Sequence, residues 1–253
     1  MQRLKLTIAY VGTRFYGWQR QTLKDAPELR TVQYELEKIA SHIAGQKVNI
    51  HASGRTDTGV HADAQVAHMD VPAHRADLNW VRAFNAQLPH DVAVASAEAV
   101  PSTFHAQYSA LSKRYAYSLW LRKDYTPPRI QKFVWSIGAL NLPAMQEAAL
   151  HMLGTRDFIS FCNVGAEYAT SVRTVESIEL LPSSPENPFL VVWHFQANGF
   201  LKQMVRNMMG LLVAVGKGKI DPEAVPQIIA AQNRRLSAAT APAQGLCLNQ
   251  VFY

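Results

Sequence analysis

Cysteine is nearly absent, with only Cys162 and Cys247 in 253 residues, too far apart to form a CxxC pair. That excludes a zinc ribbon, a dithiol redox pair and a disulfide framework, and it fits a reducing compartment. No apolar run approaches the ~20 residues of a membrane-spanning helix, and Arg3 and Lys5 interrupt the first short apolar stretch, so neither a membrane span nor a signal core is expected. The expected location is the cytoplasm. Several catalytic motifs are also missing. There is no GxSxG elbow, no phosphate loop ending in Gly-Lys-Ser or Gly-Lys-Thr, and no dinucleotide fingerprint. Gly216-Lys217-Gly218-Lys219 lacks the residues that would complete a phosphate loop. Serine hydrolase, ATPase and Rossmann dehydrogenase chemistry therefore fall away. Acidic residues are the minority charge, 19 Asp and Glu against 25 Lys and Arg, for a net +6 and a pI near 9.4. That excess suits a polyanionic partner.

What is present describes a folded α+β chain, 48% hydrophobic and 17% charged. Leu4, Leu6, Ile8 and Tyr10 alternate with polar residues as a half-buried strand does. Phe15, Tyr16 and Trp18 follow in a loop, either as packing or as ring surfaces for bases. Thr31 caps a helix in which Val32, Leu36, Ile39 and Ile43 share a face until Gly45. Val48, Ile50 and Ala52 predict a strand, and Ala64, Val66 and His68 another. Asp77 is placed to cap a helix through Trp80, Val81, Phe84 and Leu88, and Val92 to Val100 predicts a strand. In the second half, strands are expected near 112–120, 174–181, 189–197 and 246–252. Helices are expected at 143–153, closed by Gly154, at 200–215, carrying Lys202 and Arg206 near its start, and at 222–231. The expected division is two α/β domains, 1–103 and 104–253, meeting at a cleft.

Between the second and third strands lies Ser53-Gly54-Arg55-Thr56-Asp57-Thr58-Gly59-Val60-His61-Ala62. It sets one carboxylate between two hydroxyl residues and two glycines, with Arg55 two positions before it and His61 four after. Glycines allow turns and close approaches that a side chain forbids. A tight polar connection between strands would account for the same composition. His51, Asp57, His61, Asp63 and His68 are all potential metal ligands, but their spacing matches no HExxH or paired-cysteine pattern, and no metal is expected. A lone carboxylate, nearby arginines, aromatic rings and a basic surface fit an enzyme acting on a nucleotide within a nucleic acid. The base must be turned out, the gap filled, and the extruded ring stacked.

Gly54-Arg55-Thr56-Asp57-Thr58-Gly59-Val60-His61-Ala62 closely resembles the signature of the TruA family of tRNA pseudouridine synthases. The resemblance continues through Tyr10-Val11-Gly12-Thr13, Gly17-Trp18-Gln19-Arg20-Gln21, Thr31-Val32-Gln33, Phe104-His105-Ala106 and Lys113-Arg114-Tyr115. Phe158 with Ser160-Phe161, Phe200 with Met204-Val205-Arg206-Asn207, Ala238-Ala239-Thr240-Ala241-Pro242-Ala243 and Gly245-Leu246 follow in the family's order, so it covers essentially the whole chain. It implies the pseudouridine synthase fold, two RNA-recognition-like α/β domains whose antiparallel sheets meet at a basic cleft. It also implies isomerisation of uridine to pseudouridine at positions 38–40 of the tRNA anticodon stem-loop, without a cofactor, by a homodimer. By the same resemblance Asp57 is the catalytic aspartate, Arg206 its pairing arginine, Arg55 the filler of the flipped base's gap, and Tyr115 the ring that stacks on the uracil. Val11 and Gln107 depart from the family pattern, where Asp and a basic residue are usual. Two other readings use the same features: a non-catalytic RNA-binding protein, which has no need of Asp57, and a metal-dependent nuclease.

Overall fold

Strict alternation from Leu4 to Tyr10 makes the first strand, and its apolar side chains are the ones buried. A computed structural model describes residues 1–21, 28–163 and 169–253. In chain order the elements are β1 (Gln2–Tyr10), α1 (Val32–Ala44), β2 (Ile50–Ala52), β3 (His61–Val71), α2 (Trp80–Asn85) and β4 (Val92–Val100). They continue as β5 (Ser112–Trp120), β6 (Trp135–Ser136), α3 (Leu142–Leu150), β7 (Gly154–Asp157), β8 (Val172–Leu180), β9 (Leu190–Ala197), α4 (Met204–Gly216), α5 (Val225–Ala230) and β10 (Leu246–Phe252). None of the described helices is long and apolar enough to cross a membrane.

The chain divides into two compact units, residues 1–111 with 247–253, and residues 112–246. This differs from the expected boundary after 103 in two places. The segment 104–111 is tied to the first unit: the Arg3 guanidinium donates to the carbonyls of Ser102 and Phe104, and Ala106 N–H donates to His68 Nδ1 at 3.1 Å. The C-terminal strand also belongs there, because Cys247 and Leu248 of β10 pair in parallel with His61 and Ala62 of β3.

In the first unit β1 pairs antiparallel with both β3 and β4, and β2 pairs antiparallel with β3 at Ala67–Met69. The strand order is therefore 4-1-3-2 with βαββαβ connectivity, the split βαβ arrangement of RNA-recognition and ferredoxin-like modules. With β1 along one edge of β3, β2 and β10 share the other. Thr31 Oγ1 accepts the Tyr34 N–H at 3.3 Å and Gly45 closes α1 with φ 70°, both as the sequence predicts. Asn79 caps α2, not Asp77, accepting the Arg82 N–H at 3.0 Å; Asp77 stands two residues too early. Leu6, Ile8, Trp18, Leu36, Trp80 and Phe84 fill this core, each contributing about 1.5–3 kcal/mol through apolar burial.

In the second unit β5, β9, β8 and β7 form an antiparallel series, and β6 adds in parallel to the end of β5 at Leu119 and Trp120. Helix α3 lies between β5 and β8 in sequence and α4 follows β9, so β5, β9 and β8 repeat the 1-3-2 part of the first unit's order. Gly154 does not close α3, which ends at Leu150; it opens β7 with φ 89°. Trp120, at the end of β5, is buried and meets Phe189 at 5.8 Å between ring centroids. Lys202 falls outside α4, because Gln203 takes the left-handed φ of 61° and the helix starts only after it.

Candidate active site

The 53–60 loop is shaped by backbone contact with residues 12–18. Trp18 N–H donates to Thr56 O at 3.1 Å, and Gly59 N–H donates to Phe15 O at 3.3 Å. A Cβ on Gly12 would stand 2.0 Å from Val60 O, and one on Gly17, whose φ is 85°, would stand 2.6 Å from Thr56 O. Both distances are far inside van der Waals contact, so only glycine serves at these two positions. Val60 N–H closes a turn onto Asp57 O at 3.1 Å, and the Gly59 φ of 81° at its third position is what a type II turn requires. Phe15 and Trp18 are buried, which makes them packing, while Tyr16 is exposed. Arg30 lies 4.2 Å over the Phe15 ring and grips Asp91 with both terminal nitrogens at 2.7 and 2.9 Å. Hydrogen bonding to Arg30 holds the Asp91 carboxyl below the usual carboxylate range.

Beneath the loop the polar groups are paired. Tyr10 and Thr56 share a hydroxyl hydrogen bond of 2.7 Å, Ser53 Oγ donates to Gln65 Oε1 at 2.8 Å, and Gln65 Nε2 donates to Gly54 O at 2.9 Å. Gly12 N–H donates to the Nδ1 of buried His61 at 3.1 Å, so His61 supports the fold of the loop. With Ser53, Thr56 and Val60 buried, the loop presents Asp57 half-exposed and Arg55 exposed. A carboxylate on a fixed backbone, with solvent on one side, suits a group that must be ionised and meet a large substrate.

His51, His68 and His105 form a separate group at the far end of β3. His68 stacks on His51 at 5.1 Å between centroids and meets His105 edge-on at 4.6 Å. The Nδ1 atoms of His68 and His105 accept backbone N–H groups. Burial pushes His68 down to about 4, and the neighbouring His105, Arg3 and His51 add to the shift. No group of three His, Cys, Asp or Glu among the described residues is arranged to hold a metal ion.

The second unit carries Tyr115 and Arg206. Tyr115 is buried on β5 beside Phe195 of β9, 8% exposed, and its ring meets Phe200 edge-on at 5.2 Å. Lys113 lies two residues earlier on the same face; burial pulls its ammonium down to about 8, and Arg173 adds to the effect. Arg206 stands in the first turn of α4, half-buried, with Nε donating to Ala241 O at 2.8 Å and its own carbonyl accepting Ala241 N–H at 3.1 Å. Its charge is felt by the buried Tyr117 phenol, whose hydroxyl donates to Pro242 O at 2.7 Å. Asp57 and Arg55 are thus placed by one unit, and Tyr115 and Arg206 by the other.

Gly12, Gly17, the Tyr10–Thr56 pair and Arg234 have roles in the fold that the sequence pattern does not assign. The signal for the two glycines was their place just after a strand and among aromatics. Arg234 gave none, because its side-chain partners at 163 and 207 reach it only in the fold.

Comparisons with known proteins identify the family. A family model described as tRNA pseudouridine synthase matches residues 6–109 and 148–253, and the chain belongs to that family. Among its relatives are two proteins named tRNA pseudouridine synthase A that are 50% identical to it. One, from Nitratidesulfovibrio vulgaris (strain Miyazaki F), aligns over 277 residues and 100% of both chains. The other, from Lawsonia intracellularis, aligns over 256 residues, again 100% of both. A Coxiella burnetii protein of the same name is 40% identical over 254 residues, which cover 100% of this chain and 94% of the relative.

Proposed function

We propose that this protein isomerises uridine to pseudouridine at positions 38–40 of the tRNA anticodon stem-loop, with Asp57 as the reacting carboxylate. The observation that carries the reading is the Asp57 loop itself. Its backbone is fixed by two glycine approaches and a turn, so that a half-exposed carboxylate is the group it presents. In the reaction the bond from C1′ to N1 of the base breaks and one from C1′ to C5 forms. The C5 proton leaves and N1 gains one, so atoms balance with no oxidant, reductant or group donor. Asp57 serves this either by attacking C1′ or by removing a proton at C2′. Arg55 fills the gap left by the flipped base, Tyr115 stacks on the uracil, and Arg206 pairs with Asp57 and keeps it ionised. The excess of positive charge supports binding of the tRNA phosphates. The working form is a homodimer, the commonest oligomer.

Asp57→Asn tests the proposal. Pseudouridine formation on a transcript with uridines at 38–40 should fall by at least about a thousandfold, while folding and tRNA binding persist. Full turnover by the variant would refute the role of Asp57. Sequencing the product also separates the alternatives, since a nuclease breaks the chain and a binding module leaves the RNA unchanged.

A further inference from the structure

Arg234 is a half-buried guanidinium with no carboxylate partner among the described residues. Its donors go to four neutral acceptors: Ala238 O at 2.8 Å, Asn207 Oδ1 at 2.8 Å, Thr240 Oγ1 at 2.9 Å and Asn163 Oδ1 at 3.2 Å. Holding a cation partly out of water without a countercharge is costly, and here only hydrogen bonds to neutral groups offset it. The acceptors are themselves joined. Thr240 Oγ1 donates to Asn207 Oδ1 at 2.7 Å, and the fully buried Asn207 donates through Nδ2 to Phe161 O at 2.7 Å and Asn163 Oδ1 at 2.9 Å. Asn163 Nδ2 in turn donates to Gln203 Oε1, and Gln203 is the left-handed residue from which α4 starts.

All of this converges on the first turns of α4. Residues 238–241 run across the helix as a strap, close enough that a Cβ on Gly210 would lie 2.0 Å from Ala239 O. One turn earlier the strap is latched to Arg206 twice, by Arg206 Nε to Ala241 O and by Ala241 N–H to Arg206 O. With Nε donating to a carbonyl of the strap, the direction in which the Arg206 guanidinium faces depends on where the strap lies.

We propose that Arg234 is a positioning residue for the reaction: by fastening the 238–241 strap to Asn207, it fixes the orientation of the Arg206 guanidinium. This rests on the role given above to Arg206. It assigns a task to Ala238-Ala239-Thr240-Ala241 that the chemistry had left unexplained. A planar fork serves all four acceptors at once, which a lysine ammonium does not.

The test uses single-turnover pseudouridine formation, tRNA affinity and thermal unfolding, measured on the full chain. Arg234→Gln should slow the chemical step by about tenfold to a hundredfold with tRNA affinity changed less than about threefold, the mark of lost transition-state geometry. Thr240→Val, which removes the bridging hydroxyl at almost constant volume, should slow it in the same way, and Thr240→Ser should restore it. Because Arg234 acts through Arg206, Arg206→Lys combined with Arg234→Gln should be no slower than Arg206→Lys alone. Rates near the parent's in folded Arg234→Gln or Thr240→Val, or full additivity of the double variant, would overturn the proposal. If Arg234→Gln does not fold, Thr240→Val and Thr240→Ser decide it. A parent protein inactive on tRNA removes the proposed reaction and this role together. An active parent with unaffected variants removes this role alone.

Discussion

The loop that presents Asp57 and the strap that holds Arg206 are fixed in place by the same first device and by different second ones. At both, a glycine admits a foreign carbonyl to where a Cβ would lie 2.0 Å away, Gly12 with Val60 O and Gly210 with Ala239 O. Behind the Asp57 loop most of the holding is backbone to backbone, from 12–18 onto 56–60, with a few side-chain bonds through Tyr10, Thr56, Gln65 and Ser53 beneath. Behind the strap it is a linked set of side chains, Asn163, Asn207, Arg234 and Thr240. A backbone-held site depends on its glycines and tolerates loss of single polar side chains. A side-chain-linked site fails when any one member is removed, because the others are left buried and unpaired.

The glycines should give the largest effect. Gly12→Ala and Gly210→Ala should each cost about 3 kcal/mol, read as a lower midpoint of urea unfolding, since at both positions the obstacle is a backbone oxygen. A neutral result at either would break the likeness between the two regions. A smaller difference should appear in acid. His68 holds its proton only below about 4 in the fold, whereas in the unfolded chain it binds one near 6.5. The unfolded state therefore takes up the proton first as pH falls. Stability present above pH 6.5 is lost progressively between about 6.5 and 4. His68→Gln should flatten that stretch of the stability curve. The cluster around Arg234 contains no group that titrates there, so variants in it should leave the slope as it is. The smallest effect is expected from Tyr10→Phe, about 1 kcal/mol for one lost hydrogen bond, with the rate of pseudouridine formation changed less than about threefold. A loss of rate as large as that of Thr240→Val would show that the Asp57 loop also depends on linked side chains.

Much of this could be read from the sequence, and what could not be read has physical causes. Local signals gave β1, β4, β5 and β10 nearly to the residue, because each is a short alternating run bounded by a turn or a change of pattern. Helix α1 was legible at both ends, since Thr31 and Gly45 act within one turn of the residues they cap. The start of α2 was missed because two possible caps, Asp77 and Asn79, stand two positions apart, and only the one next to Trp80 reaches the Arg82 N–H. The start of α4 was missed because nothing in the residue type of Gln203 announces a positive φ; its side-chain partner, Asn163, stands forty positions away. The Asp57 loop was visible as a motif because its residues are contiguous. The Arg234 cluster was not, because its members are drawn from three separate stretches of chain, at 163, 207 and 234–240. The same reason hid the unit boundary, since β10 joins β3 only after the whole second unit has intervened.

That pairing sets a schedule. His61 and Ala62, which begin β3 directly after the Asp57 loop, form their second edge with Cys247 and Leu248. At a synthesis rate of roughly 5–20 residues per second, the strand that completes this edge reaches the ribosome exit on the order of ten to forty seconds after β3 does. For that interval β3 carries unpaired backbone groups beside the loop, as edge strands do. The first unit, though made first, is therefore finished last, and a nascent chain that stops short of residue 247 leaves the base of the Asp57 loop open.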